Sequence, residues 1–230
     1  MTEPDGSVKP SRKDLAQARR QQLLDAACTM IFERGYGPVS IADIGAAAHV
    51  SGPAIYRHFA SKADLLAVLC NQTIDRLIEL VGPRRSDPTD ELAALITGQV
   101  RLTVRHWQLV RVFSDEERSL PDEMRRMVRR REREHAQRWV DALRALAPAE
   151  RLTELEMSAF ATVGMILSAA RWPQALRGDP GLERALVAGA WRILAPLAHD
   201  PTNEPSIRSR PTRAFPQWSA AGDVNRRNLR

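Results

Sequence analysis

Cysteine is nearly missing from this chain, with only Cys28 and Cys70 among 230 residues. Both lie among apolar neighbours in segments that read as helix, so neither a disulfide framework nor a cysteine-held metal is expected. A redox sensor would need an exposed, activated thiol, against which two buried small hydrophobes are the simpler reading. Aromatic residues are also scarce, at 5%, which leaves little material for a cage of rings around a cation. No unbroken apolar run approaches the roughly 18 residues of a membrane span, and residues 1–11 are polar, unlike a signal peptide. A cytoplasmic location and no membrane partner are therefore expected. No strand-like alternation of any length appears. Glycine-rich phosphate loops, a nucleophile elbow and metal-ligand spacings are missing too, and the five His are widely separated. No catalytic residue, metal or cofactor is expected, and an enzyme with an unrecognised helical site is the remaining alternative.

Hydrophobic residues at 43% and charged ones at 27% are those of a globular protein, and the length suits a small module followed by a larger domain with its own core. The net charge of +6 would suit a nucleic-acid partner, but its distribution does not by itself argue for one. Residues 1–82 hold nine Lys or Arg against nine Asp or Glu. The basic excess lies further on, including six Arg against three acids in residues 200–230.

The most structured signal is Ser40 to Phe59, SIADIGAAAHVSGPAIYRHF. Ser40 followed by Asp43 reads as a capping box, so a helix should start at Ile41. Ile41, Ile44, Ala47 and Ala48 then share one face. His49-Val50-Ser51 interrupts, Ser51 reads as a second N-cap, and Gly52-Pro53 occupy a first turn where a missing N–H costs nothing. Ile55 and Phe59 face inward, leaving an outward set without acids: Ser51, Gly52, Pro53, Ala54, Tyr56, Arg57 and His58. Two short helices joined this way form a helix-turn-helix. The hairpin alone is equally an ordinary helical corner.

The flanks decide between these readings. Upstream, Leu24, Ala27, Cys28, Ile31 and Phe32 form the stripe of an amphipathic helix closed by Gly35; downstream, Ser61 and Asp64 read as another capping box, with Lys62 in the first turn. Leu23 to Ala27, Phe32 to Gly35, Ser40-Ile41, Ile44, Val50-Ser51, Tyr56 to Phe59 and Lys62 together resemble the N-terminal signature of the TetR family of bacterial repressors. The match runs for about fifty residues without a gap. Gly45 and His49 depart from it, standing where the family usually has alanine and the turn glycine. The resemblance implies a DNA-binding regulator with contacts from Ser40, Ser51, Gly52, Pro53, Ala54, Tyr56, Arg57, His58 and Lys62, with Tyr56, His58 and Lys62 holding phosphates. Arg12, Lys13, Arg19 and Arg20 would belong to a DNA-touching arm or to a solvated helix start.

The rest of the chain reads as helices, giving an all-α protein of about nine. The expected organisation is an arm (1–11), a helix-turn-helix domain of three helices (12–60), a linking helix (61–82), a ligand-binding and dimerisation domain (83–199) and a basic, unpatterned tail (200–230). A helix opening at Pro121 carries six Arg between Arg125 and Arg133, which reads as a solvated, salt-bridged face. The last two long segments are apolar on much of their circumference and rich in small residues. Pairing with a second copy is expected through Ala161, Gly164, Ser168, Leu186, Ala190 and Leu194, as TetR-like proteins dimerise by a four-helix bundle. Trp107, Phe113, Trp139, Phe160, Met165 and Trp172 could line an apolar pocket with Arg105 and Arg111 near its mouth, or be ordinary core. The segment from Arg105 to Pro121 resembles TetR regulators of fatty-acid and sterol breakdown, which implies an acyl-CoA effector that releases a pseudo-palindromic operator. The alternative is a drug-efflux regulator responding to lipophilic cations.

Overall fold

Helix starts in this chain are set by short polar side chains that receive the orphan N–H groups of the first turn. The computed structural model describes residues 11–195; the expected tail and all of the arm except Ser11 lie outside them. At the head of α1 (Arg12–Arg34), Asp14 N–H donates to Ser11 Oγ at 3.2 Å and Ser11 N–H donates to Asp14 Oδ2 at 2.9 Å. Ser40 and Asp43 make the same reciprocal pair at α2 (Ile41–Ala47), at 3.1 and 2.9 Å. The third box is only half formed. Ser61 Oγ accepts from Asp64 N–H at 3.0 Å to start α4 (Lys62–Val81), but the Asp64 carboxylate accepts from Ala60 N–H.

Between them α3 (Gly52–Ile55) is a single regular turn, shorter than the sequence suggests. Ser51 Oγ makes no capping bond there: Pro53 has no N–H to offer, and Ala54 N–H donates to the Ser51 carbonyl at 2.8 Å instead. The chain continues as overlapping turns through Phe59, whose N–H still reaches the Ile55 carbonyl at 3.0 Å.

The second half comprises α5 (Pro88–Arg105), α6 (Trp107–Glu116), α7 (Asp122–Leu146), α8 (Leu152–Ser168), a four-residue α9 (Gln174–Arg177) and α10 (Leu182–Leu194), with 3₁₀ turns at Glu117–Ser119 and Ala169–Arg171. Among the described residues there is no strand. The α4–α5 crossing is close because of Gly98: a Cβ there would lie 2.4 Å from Val81 Cγ2 and 3.0 Å from the Val81 backbone. Arg138 fastens the same corner, donating to the buried Glu91 carboxylate at 2.7 Å and to the Gly82 carbonyl at 3.1 Å. Burial raises the Glu91 pKa, but the bonds from Arg138 and from Arg85 N–H outweigh it and leave it below the ordinary carboxylate value.

Two large hydrophobic cores result, with a small third cluster of Leu102, Val110 and Ala170 between α5, α6 and the turn after α8. The first joins Leu23, Leu24, Ala27 and Ile31 of α1 to Ile44, Ile55, Phe59 and the inner face of α4, and continues into Val112, Leu120 and Val128. The helix-turn-helix head therefore shares its core with α6 and α7. The second joins Leu92, Leu95 and Ile96 of α5 to Trp139 and Leu143 of α7, Leu155 and Ile166 of α8, and Leu182, Leu186, Ala190 and Leu194 of α10. This corrects the expected dimer face: Leu186, Ala190 and Leu194 are 2%, 0% and 4% exposed and pack within the subunit. They are the wet-to-dry stripe of α10 that the sequence shows as apolar, and α5 and α8 of the same chain already cover it. Ala161, Gly164 and Ser168 are exposed on α8.

The apolar character of α8 also exceeds what unbroken runs suggested. Leu152–Arg171 is long and apolar enough by composition to cross a membrane, yet only 28% of its apolar 18-residue window is buried within the chain. Met157 at 58% and Phe160 at 71% exposure are its outward residues.

Candidate nucleic-acid interface and effector cavity

The turn of the head depends on its two unusual residues. His49 is the one described non-glycine residue at positive φ, at 54°, which a His adopts at some cost. Val50 N–H then reaches back to the Gly45 carbonyl at 2.8 Å. A Cβ on residue 45 would meet the Val50 carbonyl oxygen at 2.9 Å, so Gly45 and His49 are parts of one tight turn.

That turn presents Ser51, Pro53, Tyr56 and Arg57 on the exposed side, with Ala54 and His58 half-buried and Ile55 and Phe59 facing the core. Ser40 is exposed at the start of α2, where its hydroxyl is engaged by Asp43 at 2.6 Å. Gly52 lies at the first position of α3. Arg20 of α1 stacks over the Phe59 ring at 5.0 Å, bringing a cation from the first helix beside the same edge. Lys62 is placed differently from a solvent-facing phosphate ligand: its Nζ donates to the Gly37 carbonyl at 3.1 Å and lies 4.1 Å from the Tyr36 ring centroid. Lys62 thus holds the loop between α1 and α2.

The same loop is gripped from the other half of the chain. Tyr36 N–H donates to Glu116 Oε1 at 3.0 Å, across 80 positions of sequence, and Ser119 Oγ–H donates to the other oxygen of Glu116 at 3.2 Å. Nothing in the sequence pattern singled out Glu116. A lone acid at a helix end is common, and only the folded chain brings it to Tyr36.

Behind this contact lies a cavity of about 430 Å³ framed by α4, α5, α6, α7 and α8. Phe113, Trp139 and Phe160 line it, as the sequence reading suggested, with Leu77, Leu102, Val110, Val163 and Leu167. Arg105 and Trp107 line a different cleft, between α1, α4 and the α5–α6 corner. There Arg105 is paired with Glu183 at 2.9 Å, while Trp107 packs edge-on against Phe32 under Arg177. Arg111, Met165 and Trp172 line neither space: Arg111 pairs with Asp115 at 3.0 Å, and Met165 and Trp172 pack on the second core. These three belong to the bland reading of apolar and basic residues on helices.

The cavity has polar members that the sequence reading missed. Glu117 lines it and accepts from Arg129 at 2.6 Å. Glu132 lines it as a largely exposed residue whose carboxyl is partly desolvated against the wall; that desolvation first, and then Glu117, raise its pKa against the pull of Arg129 and Arg133. Arg133 and His135 complete this wall. Burial pushes the Cys28 and Cys70 thiols up to about 11 and about 12, so neither is an activated thiol.

Residues 23–69 match the family described as bacterial regulatory proteins, tetR family, and residues 85–175 match the tetracyclin repressor-like C-terminal domain. Together these matches cover more than half of the chain. The transcriptional repressor KstR2 of Mycobacterium tuberculosis is 27% identical over 130 residues, which span 55% of this chain and 65% of that repressor's length. A regulatory protein of the tetR family from Rhodococcus RHA1 shares the fold, with a TM-score of 0.67 at 22% identity over 76% of this chain and 96% of its own. AibR, solved in complex with isovaleryl coenzyme A and operator DNA, does so with a TM-score of 0.66 at 22% identity over 76% of this chain and 97% of its own. With both halves matched by the family and a helix-turn-helix head in place, the chain belongs to the TetR family of DNA-binding bacterial transcriptional regulators.

Proposed function

We propose that the protein is a homodimeric repressor that binds a pseudo-palindromic operator and releases it when an acyl-CoA thioester places its acyl group in the α4–α8 cavity. The carrying observation is the position of the cavity: Glu117 lines it, and the adjacent Glu116 holds Tyr36 of the head. An occupant that displaces Glu117 from Arg129 moves the end of α6, and with it the grip on the α1–α2 loop. An effector works only by distinguishing two such arrangements. A cavity of 430 Å³ suits an acyl group and leaves the nucleotide part of CoA outside it. Arg133, on the exposed part of the wall, is placed to meet a phosphate. AibR, crystallised with isovaleryl coenzyme A, lends support by likeness of fold.

DNA contact is assigned to the exposed edge built from Ser40, Ser51, Gly52, Pro53, Ala54, Tyr56, Arg57 and His58, with Lys62 positioning the loop behind it. Two such edges spaced about one helical turn, roughly 34–36 Å, would read the operator. The dimer is assigned to the exposed apolar face of α8, from Met157 and Phe160 to Ala161, Gly164 and Ser168. The domain limits 12–60, 61–82 and 83–199 then describe roles in reading, linking and sensing.

One observation favours a second reading. Glu117 and Glu132 share the cavity with the rings of Phe113, Trp139 and Phe160, a combination that suits a lipophilic cation. Fluorescence anisotropy of labelled upstream DNA separates the two. Release by decanoyl-CoA, with none by CoA or decanoic acid, is the expected result; release by tetraphenylphosphonium alone would transfer the assignment to the cation.

A further inference from the structure

The first two turns of α1 belong to no core. Arg12 to Arg19 are all exposed, although the helix there is regular and its start is closed by the Ser11–Asp14 capping box. What this stretch presents is set by helix geometry. Further along, Leu23, Leu24, Ala27 and Ile31 turn one face of α1 into the head's core. Arg19 and Arg20 stand one turn before Leu23 and Leu24, and Arg12 and Lys13 stand two turns before Arg19 and Arg20, so all four follow the line of the buried stripe. Asp14 and Asp25, three turns apart, share the opposite side. The core face of α1 thus continues beyond the core as a cationic face that carries no acid.

Arg20 fixes where that face leads. Its guanidinium carbon lies 5.0 Å from the centroid of the Phe59 ring, and Phe59 is 1% exposed just after the proposed DNA-reading edge. Stacking holds a guanidinium by its flat side and leaves the in-plane N–H groups free to donate. Among the described residues Arg12, Lys13 and Arg20 have no ion pair and no side-chain hydrogen bond, and Arg19 donates only to Gln22. Other cations are already engaged: Arg129 by Glu117, Arg131 by Asp75, and Lys62 by the Gly37 carbonyl. The unspent positive charge beside the edge is therefore that of α1.

We infer that this face of α1 lies along the phosphates of one DNA strand beside the reading edge, with Arg20 as a phosphate ligand positioned by Phe59 and with Arg12 and Lys13 on the phosphates that follow. Arg12 and Arg20 are about 12 Å apart along the helix at 1.5 Å per residue. That length matches about three or four phosphates of one strand, at about 3.4 Å each along the duplex axis. The inference rests on the DNA-reading edge proposed above and adds the element that grips the backbone next to it. Charge and continuity name the occupant: the face is cationic and runs into the edge of Tyr56 and Arg57, whose exposed side has no acid either.

The test is the salt dependence of DNA binding by the full chain, read as fluorescence anisotropy of labelled upstream DNA between about 50 and 200 mM salt. In Arg20→Gln the slope of log K against log salt should become shallower by about 0.9 for each half-site, so that the affinity lost across that range shrinks about three-fold per contact. Arg20→Lys should restore the slope, because it returns the charge. Arg12→Gln combined with Lys13→Gln should make the slope shallower again, and the same losses should appear on a duplex of scrambled sequence, since phosphates carry no sequence information. An unchanged slope in Arg20→Gln beside a shallower one in Arg57→Gln would overturn the inference and leave the reading edge standing. Weaker binding at an unchanged slope would overturn it as well, assigning Arg20 to the packing of Phe59 alone. Should Arg20→Gln melt below the parent, the Arg12 and Lys13 double variant, on a helix start that touches no core, carries the comparison. If Arg57→Gln and Arg20→Gln both leave the slope unchanged, the reading edge and the inference fall together.

Discussion

Gly45 and His49 show how a departure from a family pattern is made consistent at the scale of single residues. His49 takes the positive-φ position of the turn at 54°, and the resulting close return of Val50 leaves no room for a Cβ on residue 45. Gly45→Ala should therefore destabilise the protein by about 1–3 kcal/mol, the usual range for overpacking against an unyielding backbone atom. Urea unfolding that matches the parent would show that the turn relaxes freely. His135 provides a second test. Its folded pKa of about 4 lies below the unfolded value of 6.5, so between these values the unfolded state binds the extra proton and stability falls as pH falls. Above pH 6.5 the contribution is flat; by pH 4 the loss is on the order of 3 kcal/mol. In His135→Phe this part of the pH dependence should vanish, which urea midpoints at pH 7 and pH 4.5 would register.

At the scale of elements, α6 carries the connection between the two halves. Its apolar side supplies Val112 to the head's core and Val110 to the cavity wall, and its C-terminal end places Glu116 on Tyr36 and Glu117 on Arg129. Glu116→Ala should leave decanoyl-CoA binding unchanged while shrinking the effect of that ligand on operator affinity several-fold, since coupling energies of this kind are about 1–3 kcal/mol. Anisotropy titrations with and without the thioester measure both quantities. Coupling equal to the parent's would remove Glu116 from the route. Lys62 acts on the same loop from the other side, which explains how a residue of the family's signature can matter for DNA binding while its ammonium is turned inward onto Gly37 and Tyr36.

At the scale of the molecule, the question is what covers the outer face of α8. Phe160 at 71% and Met157 at 58% exposure, with Gly164 open to close approach, leave an apolar surface beside an otherwise charged protein. Gly164→Arg should yield monomers in light scattering at micromolar concentration and weaken operator binding by about 100-fold or more, because each half-site then binds without its neighbour. Leu194→Arg should instead unfold the second half of the chain, since that side chain is 4% exposed in the core formed with α5 and α8. Folded, dimeric Gly164→Arg protein would place the interface elsewhere.

What the sequence determined by itself is local. Ser40 with Asp43, the glycines after α1 and α4, and the three- and four-residue spacing of Leu23, Leu24, Ala27 and Ile31 act within one or two turns of chain, and these elements stand where the pattern puts them. Phe113, Trp139 and Phe160 were legible as ring-bearing residues near a pocket. Arg111, Met165 and Trp172 had the same credentials and went elsewhere, because composition does not say which side of a helix meets which neighbour. Leu186, Ala190 and Leu194 were legible as a face to be covered, but whether the same chain or a second copy covers it depends on how α5, α8 and α10 cross. Glu116, Glu117 and His135 were invisible as a site for the same reason. Their partners lie far along the chain, and hydrogen bonding and burial at that range are set only when the helices pack.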